Sequence, residues 1–385
     1  MKFLSLIFIL ALGVTFCTSQ QKKSEKKQGW SESMQGLSGE VKQILPFVYS
    51  RQINYSKKEV KSIQNDLENF AKTAHKIAPQ MGEAYLGDDP MVRFSLDQMT
   101  SDVQRASHAV SAGQIKYAKG VMKTVMGHCF RCHSMTTAGS QAKWEVSNFS
   151  GLSLNPLEKA ELLVATRKYE EATHLLEKAL VDDQFMLNLP FDYEAALRRY
   201  LVITVRLKPN PQRAIETFEK VLEKKNLPYY LSRKIDQWRA ALREWSRSSS
   251  KNQFSLSEAR RLLKKAQTKQ SFSKDQAADV EYLRATEVLH QLLLSKRTSD
   301  EKANIYYLLG EVYEVLDELG YWSLHETYYE SCISEKPHSH LSSQCFHRLQ
   351  ESIYLGYSGS SGVHVPSDEL ERLKQLRAKA LPEQK

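Results

Sequence analysis

The sequence predicts an all-α protein, with an N-terminal four-helix bundle followed by a C-terminal array of helical repeats. Three observations carry this. Apolar residues recur three and four apart in one segment after another. Helix-start signals punctuate those segments: Ser56 with Glu59, Pro90 at a first helical position, and Ser255 with Glu258. Beyond residue 151 a two-helix pattern returns at intervals.

The chain has 385 residues, enough for two or three domains. Residues 1–19 combine Lys2 with an apolar run from Phe3 to Val14, too short to span a bilayer comfortably, and read as an export signal. Two cleavage readings compete. Val14, Thr15, Phe16 and Cys17 resemble a lipoprotein box, which would place a lipid on Cys17, although Phe16 is bulky where a small residue is usual. Cys17, Thr18 and Ser19 instead offer small residues to an ordinary signal peptidase. Residues 20–28, with Lys22, Lys23, Lys26 and Lys27, cannot build a core and read as a charged tether.

Residues 29–135 hold the expected bundle. The first helix carries Trp30, Met34, Leu37, Val41, Ile44, Leu45 and Val48 on one stripe, and Pro46 is expected to kink or end it. A second opens at Ser56 and aligns Val60, Ile63, Leu67, Phe70, Ala74 and Ile77. A third starts near Asp89 and Pro90 and runs through Leu96, Met99, Val103, Ala106 and Val110 to Gly113. The fourth, from about Gln114, aligns Ala118, Val121, Val125, Cys129 and Cys132. Short connections make an antiparallel bundle the natural arrangement.

Cys129, Phe130, Arg131, Cys132 and His133 spell CxxCH. Behind an export signal this pattern points to covalently attached haem c: two thiols three apart can add to the two vinyl groups, and His133 is one helical turn beyond Cys129. The alternatives are a zinc site or a redox dithiol. Zinc needs a second ligand pair, and no other CxxC, CxxH or HxxxH cluster of suitable spacing occurs; a thioredoxin-type dithiol needs a βαβ setting.

A bundle of this length with CxxCH near the end of its fourth helix resembles the class II cytochromes c, the cytochrome c-prime group. The segment from Tyr117 to His133 is similar to that family's closing helix. The resemblance implies that Cys129 and Cys132 hold the haem, that His133 is the proximal ligand, and that the distal residue comes from the first helix. That residue is a methionine in low-spin members and apolar in five-coordinate, gas-binding ones. Met34 falls where the family places it, although a methionine on an apolar stripe is also an ordinary core filler. Met81, Met91 and Met99 are weaker rivals. His75 and His108 read as solvated, and His128 as a surface or propionate-side residue. The chain departs from the family after the motif, where Ser134, Met135, Thr136 and Thr137 replace the aromatic and basic residues that often follow.

Residues 136–151 read as a linker with at most a short helix near Trp144. The stretch from Lys159 to Leu180 then resembles a tetratricopeptide repeat, with Ala160 and Leu163 on one helix and Tyr169, Ala172, Leu176, Ala179 and Leu180 on the next. A second copy has Leu201, Val202 and Val205 before Ala214, Phe218, Val221 and Leu222; residues Phe185 to Asp192 are an insertion that must loop out or lengthen a helix. A third spans Ile305 to Pro337, matching at Gly310, Tyr313, Tyr329, Cys332 and Ile333. Two repeat-like groups are expected, 152–247 and 255–380, with 248–254 between them. Such stacks leave a concave surface for partners.

The net charge of +9 is spread through amphipathic helices among acidic residues, and no nucleic-acid motif accompanies it. Of five cysteines, Cys332 and Cys345 remain after the motif and Cys17, and would form a disulfide in an oxidising periplasm, with two buried thiols as the alternative. The leading expectation is an exported, periplasmic monohaem cytochrome that transfers single electrons, soluble or held to the membrane by an N-terminal lipid. Its repeat region would dock a redox partner or membrane complex. A haem-based gas sensor and a haem-stabilised interaction scaffold are the alternatives. No distal His with Arg or Glu suggests an enzyme.

Overall fold

The computed structural model describes residues 31–77, 89–135, 141–145, 151–248, 254–272, 274–316 and 323–382. The export signal with Cys17, the tether, Trp30 and Met81 lie outside them. The protein is all-α. Among the described residues the sole strand pairing is a two-residue hairpin, β1 (Ser358–Gly359) against β2 (Gly362–Val363), fully exposed in the Gly/Ser loop.

The chain condenses into two compact units. The first draws on Met1–Asp88, Ser95–His128 and Ala138–Ser153, the second on Asp89–Phe94, Cys129–Thr137 and Leu154–Lys385. This differs from the sequence boundary at residue 135. The start of one helix and the end of the next, CxxCH included, have their contacts in the second unit.

In the first unit, α1 (31–49), α2 (Lys57–Ile77), α3 (Pro90–Ser111) and α4 (Ile115–His133) bury the stripes that their sequences mark. Leu45, Leu67, Phe70, Val103, Ala106, Ala118 and Val125 are wholly enclosed. Ser56 and Glu59 close the α2 capping box reciprocally, at 2.7 and 3.3 Å. Helix α1 runs three residues past Pro46, because proline removes only its own N–H while its carbonyl still accepts from Ser50 at 3.1 Å. Gly113, at φ +72°, supplies the left-handed turn after α3. Buried Lys119 on α4 donates to the carbonyls of Ser50 and Gln52 at 2.8 and 2.6 Å and lies over the Phe47 ring. Residues 141–145 are not helical, yet Trp144 is pinned through its indole N–H to Ser38 on α1 at 2.7 Å.

In the second unit, helices adjacent in sequence pack on one another: α5 (Pro156–Ala165) on α6 (Tyr169–Val181), α9 (Pro211–Leu222) on α10 (Tyr229–Arg247), α11 (Leu256–Lys269) on α12 (Asp279–Leu293), and α13 (Ser299–Val315) on α14 (Leu324–Glu335). The insertion forms a helix of its own, α7 (Asp183–Asn188), capped by Asp182, before Pro190 opens α8 (Pro190–Val202). Helix α8 then widens into a π-helical stretch, Ile203–Leu207. A disulfide joins Cys332 on α14 to Cys345 on α15 (His340–Gly356). The last helix, α16 (Ser367–Ala380), closes on α15 through the Ala380 carbonyl, which accepts from Ser342 at 2.8 Å.

Helix α12 is buried on nearly every side. Two of its charged residues have partners: Glu281 accepts from Lys269 at 2.5 Å, and the Arg284 guanidinium lies 4.7 Å from the Trp245 ring centroid. His290 is held between Asp89, at 2.5 Å, and the Tyr313 hydroxyl, at 2.8 Å.

Candidate functional site

The last turn of α4 carries the whole CxxCH motif. Spacings of three and four residues put Cys129, Cys132 and His133 on one helix face, and all three side chains are partly exposed. Phe130, between them, faces the other way and is fully buried beneath the Arg199 guanidinium, 4.6 Å from its ring centroid. Arg199 is itself paired with Glu161 at 2.8 Å. The helix end is closed by Ser134, whose hydroxyl donates to the Arg131 carbonyl at 2.8 Å.

Neither cysteine is in a disulfide. Burial, with Cys132 beside it, pushes the Cys129 thiol up to about 12. Burial pushes Cys132 up to about 11, against the pull of Arg167. These are thiols and not thiolates, the opposite of the depressed values a redox dithiol uses. Burial, reinforced by Arg167, pushes the His133 imidazole down to about 3, so the ring is neutral. Its Nδ1 is buried without a hydrogen-bond partner. A neutral imidazole can ligate iron, and two thiols held on the same face are the groups that form thioethers, so the residues present fit haem c. Among the described residues no group of three or more His, Cys, Asp or Glu side chains could hold a metal ion.

The second unit surrounds the motif with residues that the sequence does not mark as part of a site. The Tyr169 hydroxyl donates to the His133 carbonyl at 3.4 Å and accepts from Arg167 at 2.9 Å. Arg167 sits between α5 and α6 at φ +62°, a left-handed conformation unusual for a residue with a side chain. Met135 receives the Tyr313 hydroxyl at 3.4 Å and the Arg206 guanidinium. Asp89 is gripped by His290, by Tyr328 at 2.8 Å and by the Met91 amide at 3.0 Å; the His290 charge and these hydrogen bonds hold its carboxyl below the usual range despite burial.

Other expected residues fall elsewhere. Met34 is half-buried on α1, in the first unit, whereas His133 belongs to the second. Met91, a weaker rival for the distal position, is buried and shares the second unit with His133. Met99 is a core residue of the first unit. His75 and His108 are exposed. His128 is neither at the surface nor free to face a propionate: it is buried, with its Nε2 2.9 Å from Asp102 Oδ2. Among the described residues no helix is long and apolar enough to cross a membrane. No family model, curated protein or solved structure matches the chain.

Proposed function

We propose that this chain is an exported monohaem c-type cytochrome that carries single electrons. In this reading Cys129 and Cys132 hold the haem, His133 ligates its iron, α1 to α4 form a class II cytochrome-like bundle, and α5 to α16 form a tetratricopeptide-like region that docks a redox partner or membrane complex. The observation that carries the proposal is the combination at the end of α4: two thiols outside any disulfide and a neutral imidazole, on one helix face. The haem supplies a reversible one-electron couple when bound. The chain's residues do the rest. Helix α4 orients the attachment groups, and buried Phe130 anchors the motif against Arg199. The pairing of successive helices in the second unit supports the repeat reading, and the apolar run after Lys2 supports export, with Cys17 as the lipid acceptor if the lipoprotein route is taken. Met34 is the proposed distal ligand, and Met/His ligation favours electron transfer over gas binding.

The test is to purify the full chain from an exporting, haem-loading host and record oxidised and reduced optical spectra beside a haem stain of the denatured protein. Covalent haem is expected in the wild type, with attachment lost in a Cys129→Ala, Cys132→Ala variant. Met34→Ala is expected to turn a low-spin spectrum high-spin. No covalent haem in the wild type overturns the proposal; an unchanged spectrum in Met34→Ala overturns only the distal assignment and directs the same test to Met91.

A further inference from the structure

Helices α11 and α12 form an antiparallel hairpin with a basic outer face. Lys269, the last residue of α11, meets Glu281 near the start of α12 at 2.5 Å, which brings the start of α11 and the end of α12 to one end of the pair. Helix α11 buries Ala259, Leu262, Leu263 and Ala266 and leaves Ser257, Arg260, Arg261, Lys264 and Thr268 on its solvent stripe. It holds five Lys or Arg residues against one acid, Glu258. Glu258 is taken by Arg261, which donates to both of its oxygens at 2.7 Å. The carboxyls at the adjoining start of α13 are taken too: Glu301 closes the cap at Thr298, and Asp300 pairs with Lys336. Arg260 is left with the neutral amide oxygen of Asn304, at 2.6 Å, and Lys264 and Lys296 have no carboxylate partner among the described residues.

Two large apolar side chains stand in water at the same end. Phe254, just before the α11 cap, is 45% exposed, and Leu294, just after α12, is 42% exposed. A single exposed apolar residue needs no explanation. Phe254 and Leu294 beside three unmatched cations make two different demands, a counter-charge and removal from water. A free anion meets only the first. The surface of an anionic bilayer meets both, with phosphates at headgroup level and acyl chains immediately beneath. We infer that this end of the α11–α12 hairpin docks on the anionic phospholipid surface of a membrane, with Arg260, Lys264 and Lys296 at the phosphates and Phe254 and Leu294 entering the interface. The inference takes its compartment from the export reading above and needs no haem. Where Cys17 carries lipid, the hairpin supplies the basic second signal that a single acyl chain needs for stable attachment.

The experiment measures partition of the full chain, carrying Cys17→Ser so that no acyl chain contributes, into phosphatidylcholine vesicles with and without about one quarter phosphatidylglycerol, at about 0.15 M salt. Binding is expected to need phosphatidylglycerol. The tether lysines also attract anionic lipid, so the decisive comparison holds them constant. Arg260→Gln, Lys264→Gln and Lys296→Gln together are expected to weaken partition about 100-fold. Lys58→Gln, Lys61→Gln and Lys116→Gln remove the same charge from exposed positions of the first unit and are expected to change it by less than about threefold. Equal loss in the two triple variants, or no loss in the first, overturns the inference. If the first triple variant does not fold, Lys264→Gln alone decides: partition about fivefold weaker supports the inference and unchanged partition overturns it. Phe254→Ser is expected to weaken partition while keeping the preference for phosphatidylglycerol; no change there overturns the insertion of Phe254. Poly-L-glutamate is the second probe. Binding to it that the first triple variant loses, with no phosphatidylglycerol preference in the parent chain, assigns the face to an acidic protein and overturns the membrane docking. Retention of the chain in the cytoplasm of an exporting host overturns the export reading alone, since vesicle partition is measured on purified protein and reads no haem.

Discussion

Burial raises the Glu287 carboxyl on α12 from its ordinary 4.5 to about 7, outweighing the attraction of Arg206 and Arg284. Because the folded state holds this proton more tightly than the unfolded chain, the group costs nothing below 4.5, costs progressively more up to about 7, and costs most above that. Glu287→Gln fixes the neutral form. It is expected to stabilise the protein by about 1–3 kcal/mol near about pH 8 and to leave it unchanged near about pH 4. Urea unfolding followed by circular dichroism at both pH values checks this; an equal gain at both would assign the effect to packing and not to the proton. The same scale shows what a sequence can disclose about a site. That Cys129, Cys132 and His133 share one helix face is legible because it is written in five consecutive residues. The places of Arg167 and Arg206 are not legible, because both are reached through tertiary packing and carry no pattern of their own, and Tyr169 is legible only as a repeat position. Arg167 hides further: its left-handed turn is one where a glycine is the usual marker. His128 misled because a histidine beside the motif looks solvated, and only folding brings Asp102 to it.

Among the helices, amphipathic spacing revealed those that bury one face and concealed the one that buries nearly all of its surface. The α1 to α4 stripes and the α5–α6 and α13–α14 pairs follow the apolar positions closely. Helix α12 did not stand out, because Asp279, Glu281, Arg284 and His290 interrupt its apolar residues and read as solvent-facing, whereas all four are buried. The insertion before α8 was visible as surplus length, but its form as a separate helix was not. Gly310 on α13 is a case where the repeat resemblance marks a packing constraint. A Cβ there would collide with the ring of Tyr329, which is fully buried on α14 and donates to Glu314 at 2.8 Å. Gly310→Ala is therefore expected to cost about 1–3 kcal/mol through overpacking, even though alanine is the better helix former by about 1 kcal/mol. Denaturant unfolding measures the balance. A net stabilisation would mean that the Tyr329 ring swings aside and that α13 and α14 are not held at this separation.

Neither compact unit of the molecule is a continuous stretch of chain. Asp89–Phe94 and Cys129–Thr137 leave the first unit for the second, although α3 and α4 continue unbroken through both changes of allegiance. A domain drawn from helix order alone ends at residue 135, and helix order cannot disclose where the side chains of the final turn find their partners. The consequence is specific. A fragment of residues 29–135 retains every helix of the expected bundle but lacks Arg199 over Phe130, Tyr169 at the His133 carbonyl, and both Arg206 and Tyr313 at Met135. Exposing Phe130 alone forfeits about 2 kcal/mol of apolar burial. For a domain of roughly 100 residues this corresponds to a fall in Tm of about 10 °C. Hydrogen exchange is expected to quicken selectively at the amides of Cys129 to Met135, with the middles of α2 and α3 keeping their protection. The measurement compares the fragment with the full chain under the same conditions. Equal protection at Cys129 to Met135 in the two would show that the CxxCH turn is stabilised by the first four helices, and would return the boundary to residue 135. Selective loss there would mean that the second unit holds the CxxCH turn in place.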